Sequence, residues 1–197
     1  VSAMLKLLKV PGNSKVEIPS SISYPDFLHF VDGLSNYDVL CREEGVEKFA
    51  AELRAVKDDY ELKCIRTAAK ITDNIIDIIE AKIKTGEITT EMDVALLIEK
   101  ECRLAGCEST GFDTLAAGPA RSFAIHCFPP YTSGSFPAEG LSILDFGIKY
   151  KGYTSDVTLT IAKGSLSEAQ EKQLALVENA YNQALNLYQK DLPIKGP

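Results

Sequence analysis

Apolar residues recur along this chain at two different spacings, and the spacing separates predicted helices from predicted strands. A period near 3.6 residues indicates a helix with one apolar stripe, and alternation or a short apolar run indicates a strand. The predicted elements are helices at 58–84, from Thr89 or Thr90 to Gly106 and from Ser167, and strands at 112–117, at 122–127 and from Leu141. This order predicts an α+β fold with the helices on one face of an antiparallel sheet.

Residues 1–52 follow a different pattern, in which short apolar runs alternate with turn signals. Pro11-Gly12 and Asp32-Gly33 are dipeptides typical of turns. This segment therefore predicts small strands and a short helix, as in the remainder of a small α/β unit.

The segment from Leu141 to Ile161 predicts a β-hairpin with one apolar and one polar face. An even-length loop centred on Tyr150 and Lys151 places Asp145 directly opposite Asp156. The same register pairs Leu144 with Val157, Phe146 with Ser155 and Ile148 with Tyr153, and it leaves Gly147, Thr154, Thr158 and Thr160 on the aspartate face. In an alternative hairpin, a three-residue loop with a bulge at Gly152 leaves the two carboxylates near-diagonal.

The negative charges of two opposed aspartates on neighbouring strands repel each other, and something must compensate this repulsion. Cross-strand Cβ atoms lie about 4.5–5.5 Å apart, and like charges at that separation destabilise a sheet. A bound cation would remove the repulsion, so the pair predicts a metal site at Asp145 and Asp156. In the alternative interpretation both aspartates are simply solvated, which the apolar sequence around Asp145 disfavours.

Composition narrows the classes of function. The chain has 197 residues, 45% of them hydrophobic, with a net charge of −7 and no run of basic residues, so a nucleic-acid partner is not expected. No apolar stretch reaches the roughly 20 residues needed to span a bilayer, so no membrane partner is expected either. The five cysteines are odd in number and none are spaced as C-x-x-C, which is typical of a reducing compartment. We therefore expect a soluble, cytoplasmic protein.

Several short motifs occur in a characteristic order. They are Glu52-Leu53-Arg54-Ala55-Val56-Lys57 with Glu61, Gly86 with Thr90-Glu91, Gly106 with Phe112-Asp113-Thr114 and Gly118, His126, and Asp145-Phe146-Gly147 with Gly152-Tyr153 and Ser155-Asp156-Val157-Thr158. Together they resemble the pita-bread metallopeptidases, the family that includes Xaa-Pro aminopeptidase, prolidase, methionine aminopeptidase and creatinase.

The resemblance implies an α+β fold that is the first half of a pita-bread domain. Residues 1–52 would be the remnant of a creatinase-like N-terminal domain, and residues 53–197 the first half of the catalytic domain. The implied activity is that of an Xaa-Pro aminopeptidase or Xaa-Pro dipeptidase, with a proline-containing peptide as substrate. In the complete enzyme Asp145 and Asp156 would be the first two ligands of a centre of two divalent ions, Mn, Co or Zn, and His126 would contact the substrate. The resemblance does not require this chain alone to bind either ion. In the alternative interpretation His126 is a partly buried side chain that only packs.

The chain also departs from the family pattern. The family completes its metal centre with a later histidine and two glutamates, whereas no histidine follows Asp156 here. Glu168, Glu171 and Glu178 are better explained as a solvated helix face, so this chain as given is not expected to hydrolyse peptides. Leu159 replaces a common arginine, which would remove a hydrogen-bond donor near the metal face or its support.

The same residues allow two alternative functions to be considered, and they predict an oligomeric state. A non-catalytic pita-bread module that binds peptides or proteins, and a creatinase-like C–N hydrolase, are both disfavoured because Asp145 and Asp156 are retained. Half a domain would expose an unpaired sheet edge and unpartnered helix faces, so we expect a homodimer.

Overall fold

A computed structural model describes residues 1–124 and 126–187 of the chain. The backbone divides into two compact units, Val1–Asp59 and a second that begins at Tyr60. No helix within the described residues is long and apolar enough to cross a membrane.

The first unit contains three helices and a two-stranded parallel sheet. Its elements are α1 (Ser2–Leu7), β1 (Lys15–Ile18), α2 (Tyr24–Gly33), β2 (Asp38–Cys41) and α3 (Val46–Ala55). Only one short helix was expected here. One of the others, α2, begins where the hydroxyl of Ser23 accepts a hydrogen bond from the backbone N–H of Asp26. The assignment of residues 1–52 to the remnant of an N-terminal domain stays a prediction, and α3 runs across residue 52.

The second unit combines three helices with two three-stranded sheets. Its elements are α4 (Asp59–Thr85), α5 (Glu91–Leu104), β3 (Ser109–Thr110), β4 (Leu115–Ala117), β5 (Gly140–Phe146), β6 (Ile148–Tyr150), β7 (Tyr153–Thr154), β8 (Val157–Lys163) and α6 (Glu168–Leu187). The strand orders are β3-β6-β7 and β4-β5-β8, and all pairs in both sheets are antiparallel. The predicted order of helix, helix, strands and helix is therefore confirmed.

The two long helices begin and end close to the predicted positions. Gly86, with φ of +74°, follows the last residue of α4, and Gly106, with φ of +80°, follows the end of α5. Thr90, rather than Thr89, caps α5: its hydroxyl accepts the backbone N–H of Asp93 at 3.0 Å, and the Asp93 carboxylate accepts the backbone N–H of Thr90 at 2.8 Å. This reciprocal pair is a capping box.

The third helix begins at the predicted cap. The Ser167 hydroxyl accepts the backbone N–H of Gln170 at 3.4 Å, and the Gln170 side chain accepts the backbone N–H of Ser167 at 2.9 Å. The sequence predicts an apolar stripe through Leu174, Val177, Tyr181, Leu185 and Tyr188 and a helix end at Pro193. The first four of these residues lie within α6, whereas Tyr188 and Pro193 lie outside the described residues.

The core of the second unit lies between α4, α5 and one face of the hairpin. Its buried members are Ala68, Ile75, Ile79, Ile88, Val94, Ile98, Cys102, Cys107, Ala116, Phe136, Leu144, Phe146 and Ile148. Leu144, Phe146 and Ile148 are two residues apart along the strand, so all three point to the same side of the sheet. Asp145, between two of them, points to the opposite side.

The predicted hairpin register is wrong by two residues. Asp145 lies opposite Thr158, and the apolar partners are Leu144 with Leu159 and Phe146 with Val157. A shift of two residues leaves every side chain on its predicted face, because side chains alternate with a period of two. The division into an apolar and an aspartate face is therefore retained, whereas the direct pairing of Asp145 with Asp156 is not.

The turn explains the register. Tyr150 pairs with Tyr153, so the loop consists of Lys151 and Gly152 only. Both residues have positive φ, of 50° and 83°, as a two-residue type I′ turn requires. A loop centred on Tyr150 and Lys151 would instead have put Tyr150 at the first turn position.

The strand predicted at 122–127 is absent from the described residues of that segment. Arg121 and Ser122 both donate their backbone N–H groups to the carbonyl oxygen of Gly118, at 2.9 and 3.0 Å, and Ala124 donates to Arg121. These bonds within a single turn take up donors that a strand would direct to a neighbour. The segment is a loop between β4 and β5.

A chain of hydroxyl groups ties the hairpin to α4 beside Asp156. Thr72 Oγ1 donates to the carbonyl of Ala68 at 3.0 Å, so the 2.6 Å contact between Thr72 and Ser155 has the Ser155 hydroxyl as its donor. Ser155 Oγ in turn accepts the backbone N–H of Ile148 at 3.0 Å. The residue before Asp156 is thereby attached both to the helix and to the opposite strand.

Beside this chain, Gly147 leaves room for the backbone of the other strand. A Cβ at Gly147 would lie 1.9 Å from the carbonyl oxygen of Ser155, so no other residue fits without a backbone shift. Gly147 also marks the point where β5 ends and β6 begins.

We expect Ser155→Ala to lower the free energy of unfolding by about 1–3 kcal/mol, because the substitution leaves the Ile148 N–H and the Thr72 hydroxyl without this partner. Urea unfolding of Ser155→Ala, Thr72→Val and the double variant would measure the coupling. Strictly additive losses would show that the two hydroxyl groups do not act as one chain.

The α5 cap predicts a dependence of stability on pH. Hydrogen bonds from the backbone and hydroxyl of Thr89, and then from Thr90, lower the pKa of Asp93 below its ordinary value of 3.8. Because the unfolded chain binds this proton more readily, the contribution is present above about pH 4 and is lost as the pH falls through the folded-state pKa. The urea midpoint of Asp93→Asn should thus lie below that of the native chain at pH 6 and approach it near pH 3. Asp73→Asn, on an exposed position of α4, is the control, and a gap that stays constant with pH would contradict the assignment.

Candidate metal centre

Asp145 is held on the outer face of β5. The strand alternates between buried and half-buried residues, and Asp145 is one of the half-buried ones. Its Oδ1 accepts a hydrogen bond of 3.0 Å from the hydroxyl of Thr158, the residue directly opposite on β8. This bond orients the carboxylate, and Oδ2 of the same group is a second potential ligand atom.

Asp156 lies on the same face, between β7 and β8, and its side chain is exposed. The strand pairs on both sides of it share one register, which puts Gly147 opposite Asp156. The two aspartates are therefore diagonal neighbours across the hairpin, about 7–8 Å apart at their backbones. Because Gly147 has no side chain, nothing from the opposite position covers Asp156.

The neighbours of Asp145 on the side away from Asp156 carry no charge. Leu115 on β4 lies opposite Asp145 on its other side, and Ile143 and Thr160 form the next pair along the sheet. A groove of about 500 Å³ adjoins this end of the face, between β5, β8 and α6.

His126 is in the loop between β4 and β5, and its side chain is exposed. The alternative interpretation, a partly buried histidine that only packs, is therefore not what the structure shows. Phe123 and Phe128 on the same loop are also exposed, whereas Cys127 is buried. Among the described residues no three His, Cys, Asp or Glu side chains lie together as a metal-binding group, so His126 does not join the two aspartates in such a cluster.

The carboxylate oxygens of the two aspartates are suitable ligands for a hard divalent cation, but there are too few of them to complete its coordination. Carboxylate oxygens are preferred ligands of Mn²⁺ and Mg²⁺ and are common ligands of Zn²⁺. Two side chains supply at most four oxygens, fewer than the six that an octahedral ion takes. Asp145 and Asp156 therefore fit part of a metal centre whose other ligands lie outside this pair.

Leu159 lies on the face away from the aspartates. It pairs with Leu144 and packs against the core cluster. An arginine at this position would point toward the helices, so its replacement by leucine does not remove a donor from the aspartate face. The expectation of a lost donor near the metal face was wrong, because Leu159 is an odd number of residues from both Asp156 and Thr158. The alternative, a donor lost from the support of that face, stays a prediction.

Some contributors to the site were missed in the sequence. Thr158 was placed on the aspartate face without a role, and Ser155 was assigned to the apolar face without its bond to Thr72. Glu91 occurs in one of the quoted motifs, but nothing in the sequence shows that its carboxylate is almost fully buried.

Comparison with known proteins gives a consistent result. The model of metallopeptidase family M24 matches residues 63–195. An uncharacterized peptidase of Bacillus subtilis, YqhT, is 33% identical over 82% of this chain and 43% of its own length. An Xaa-Pro dipeptidase of Pyrococcus horikoshii is 28% identical over 88% of this chain and 47% of its own.

The solved structures agree with the sequence relatives. The Xaa-Pro dipeptidase from Bacillus anthracis superimposes with a TM-score of 0.79 at 27% identity, over 96% of this chain and 50% of that protein. The chain thus spans about half the length of the relatives it matches, and its α+β architecture is that of the first half of the pita-bread fold, as predicted. On the family match over two thirds of its residues, the chain belongs to metallopeptidase family M24.

Proposed function

We propose that this chain is the front part of a metal-dependent exopeptidase, an Xaa-Pro dipeptidase or Xaa-Pro aminopeptidase, that cleaves the bond before proline. The observation that carries the proposal is the placement of Asp145 and Asp156 on one shared face of a hairpin whose other face is core. The Xaa-Pro dipeptidases among its relatives support the substrate class.

In this proposal Asp145 and Asp156 are the first two protein ligands of a centre of two divalent ions, Mn, Co or Zn. When bound, such ions polarise a carbonyl group and lower the pKa of a coordinated water from 15.7 toward about 7. The contribution of this chain is to present two carboxylates in a fixed orientation. Thr158 orients Asp145, and the chain of hydroxyl groups through Ser155 fixes the backbone next to Asp156.

His126 would contact the peptide rather than the metal. Its exposed position on a loop, outside any metal-binding cluster of the described residues, supports this role. A neutral or protonated imidazole can donate a hydrogen bond to a carbonyl oxygen, which suits contact with the substrate or with the tetrahedral intermediate. The five scattered cysteines support a cytoplasmic location, and the acidic net charge supports the absence of a nucleic-acid partner.

We expect wild-type chain to bind Mn²⁺ and both Asp145→Asn and Asp156→Asn to weaken that binding by about tenfold or more, which corresponds to about 1.4 kcal/mol. An amide keeps the shape of the side chain but removes the charge that attracts the cation. Titration calorimetry with Mn²⁺ is the measurement.

Asp77→Asn is the matched control, because Asp77 is an exposed aspartate on α4. It should bind Mn²⁺ as the wild type does. Equal affinity in all four proteins would contradict the assignment of these two ligands.

We also propose that the chain forms a homodimer through α6. Val177, Tyr181 and Leu185 follow a helical stripe and are 67%, 65% and 58% exposed. Exposed apolar stripes of this kind are typical of protein–protein contact surfaces.

Tyr181→Glu should then shift the sedimentation equilibrium toward the monomer, whereas Asn182→Glu on the same helix should not. A wild-type chain that is monomeric at high concentration would overturn the proposal.

A further inference from the structure

Glu91 is a buried carboxylate that the proposed metal chemistry does not use. It is the first residue of α5, and only 2% of it is exposed. The N-terminal end of a helix favours negative charge, but burial of a carboxylate costs free energy unless hydrogen bonds and an opposite charge compensate. The partners of Glu91 therefore show what it is for.

Both oxygens of Glu91 bind the ends of one loop, the His126 loop, which consists of residues 118–124 and 126–134 among those described. Oε1 accepts the backbone N–H of Gly118 at 2.8 Å, at the start of the loop. Oε2 accepts the backbone N–H of Thr132 at 2.8 Å and its hydroxyl at 2.6 Å, near the end of the loop. One carboxylate thus joins two points of the chain that are fourteen residues apart.

Arg121 extends this attachment into the loop. Its Nε lies 3.4 Å from Glu91 Oε1, which provides the opposite charge, and one of its terminal nitrogens donates to the carbonyl of Pro129 at 2.6 Å. Arg121 therefore connects the first half of the loop to the second, on either side of His126. The exposed aromatic side chains of the loop, Phe123 and Phe128, are not part of this network.

The space around the carboxylate is closed by two glycines. A Cβ at Gly118 would lie 2.6 Å from the carbonyl oxygen of Ser135, and a Cβ at Gly134 would lie 3.0 Å from the Thr132 hydroxyl and 3.5 Å from Glu91 Oε1. The backbone of α5 adds two further bonds, from Glu91 N–H to Gly134 and from Met92 N–H to Thr132. The loop ends are thus packed directly around the side chain of Glu91.

We infer that Glu91 is the positioning residue for His126: it fixes both ends of the loop that presents the imidazole, without itself contacting metal or substrate. The functional part of this inference rests on the proposed role of His126 in contacting the peptide. The structural part, that the order of the loop depends on one carboxylate, stands apart from that role and can be tested without metal or substrate.

Cys127 provides a local probe of the loop. It is next to His126, its side chain is buried, and its thiol donates to the carbonyl of Pro130 at 3.4 Å. Cys102 lies on α5 itself and is fully buried, with burial as the main cause that raises its pKa to about 12. Reaction of Cys127 therefore reports opening of the loop, and reaction of Cys102 reports opening of the core.

The experiment measures the rate of thiol labelling at each cysteine of the 197-residue chain, separated by peptide mass spectrometry. In Glu91→Gln one oxygen becomes an NH₂ group that faces N–H or O–H donors and cannot accept from them. We expect Cys127 to react about tenfold faster or more, while Cys102 and the buried Cys64 react at the wild-type rate. Glu99→Gln, at a half-exposed position of the same helix that pairs with Arg103, should leave the labelling rate of Cys127 unchanged.

Thr132 gives a second, milder test should Glu91→Gln fail to fold. Thr132→Val removes the hydroxyl donor and keeps the shape, so it should also speed the labelling of Cys127, whereas Thr132→Ser retains the hydroxyl and should restore the wild-type rate. An unchanged Cys127 rate would overturn the inference, because Glu91 would then not hold the loop. Equal acceleration at Cys127 and Cys102 would also overturn it, because Glu91 would then stabilise the whole unit rather than the loop. Neither result depends on Mn²⁺ binding, which tests the proposed function separately.

Discussion

Burial of one hairpin face against α4 and α5 is the constraint on which the rest of the second unit depends. Leu144, Phe146 and Ile148 are fully buried there, and each fully buried large apolar side chain is worth about 1.5–3 kcal/mol. A slip of one residue would expose all of them and bury Asp145 without a partner. The same packing that stabilises the unit therefore directs the Asp145 side chain outward, so no separate interaction is needed to set its direction.

Packing of the core determines which face of the hairpin points outward, and small and polar residues then determine the surroundings of the aspartates on that face. Gly147 leaves the position opposite Asp156 empty, Thr158 orients the Asp145 carboxylate, and Ser155 connects the hairpin to α4. Glu91 acts in the same way on the neighbouring loop, where it gathers both loop ends at the start of α5. Ser155 and Glu91 also satisfy backbone N–H groups that would otherwise be buried without partners, so at these two residues position and stability are coupled.

Much of this arrangement could be predicted from the sequence, and the failures have identifiable causes. Helix ends were accessible because caps such as Thr90 and stops such as Gly86 act within a few residues. The hairpin register was missed by two residues because the predicted loop was centred on Tyr150 and Lys151, one residue too early, whereas Lys151 and Gly152 are the two residues that adopt positive φ in the turn. The strand expected at 122–127 is absent from the described residues because the backbone N–H groups of Arg121 and Ser122 close a turn on Gly118, and the Ser122 hydroxyl donates to the carbonyl of Leu141.

The sequence by itself determined which residues face the core and which face outward, since that choice follows from a period of two or of 3.6 residues. It also determined that Asp145 and Asp156 share a face, because the relation survives any even shift of register. Only the structure decided that they are diagonal rather than opposite and that Glu91 is buried against the His126 loop. The physical reason is distance along the chain: local patterns set the direction of a side chain, whereas its partners, forty or eighty residues away, are set by packing.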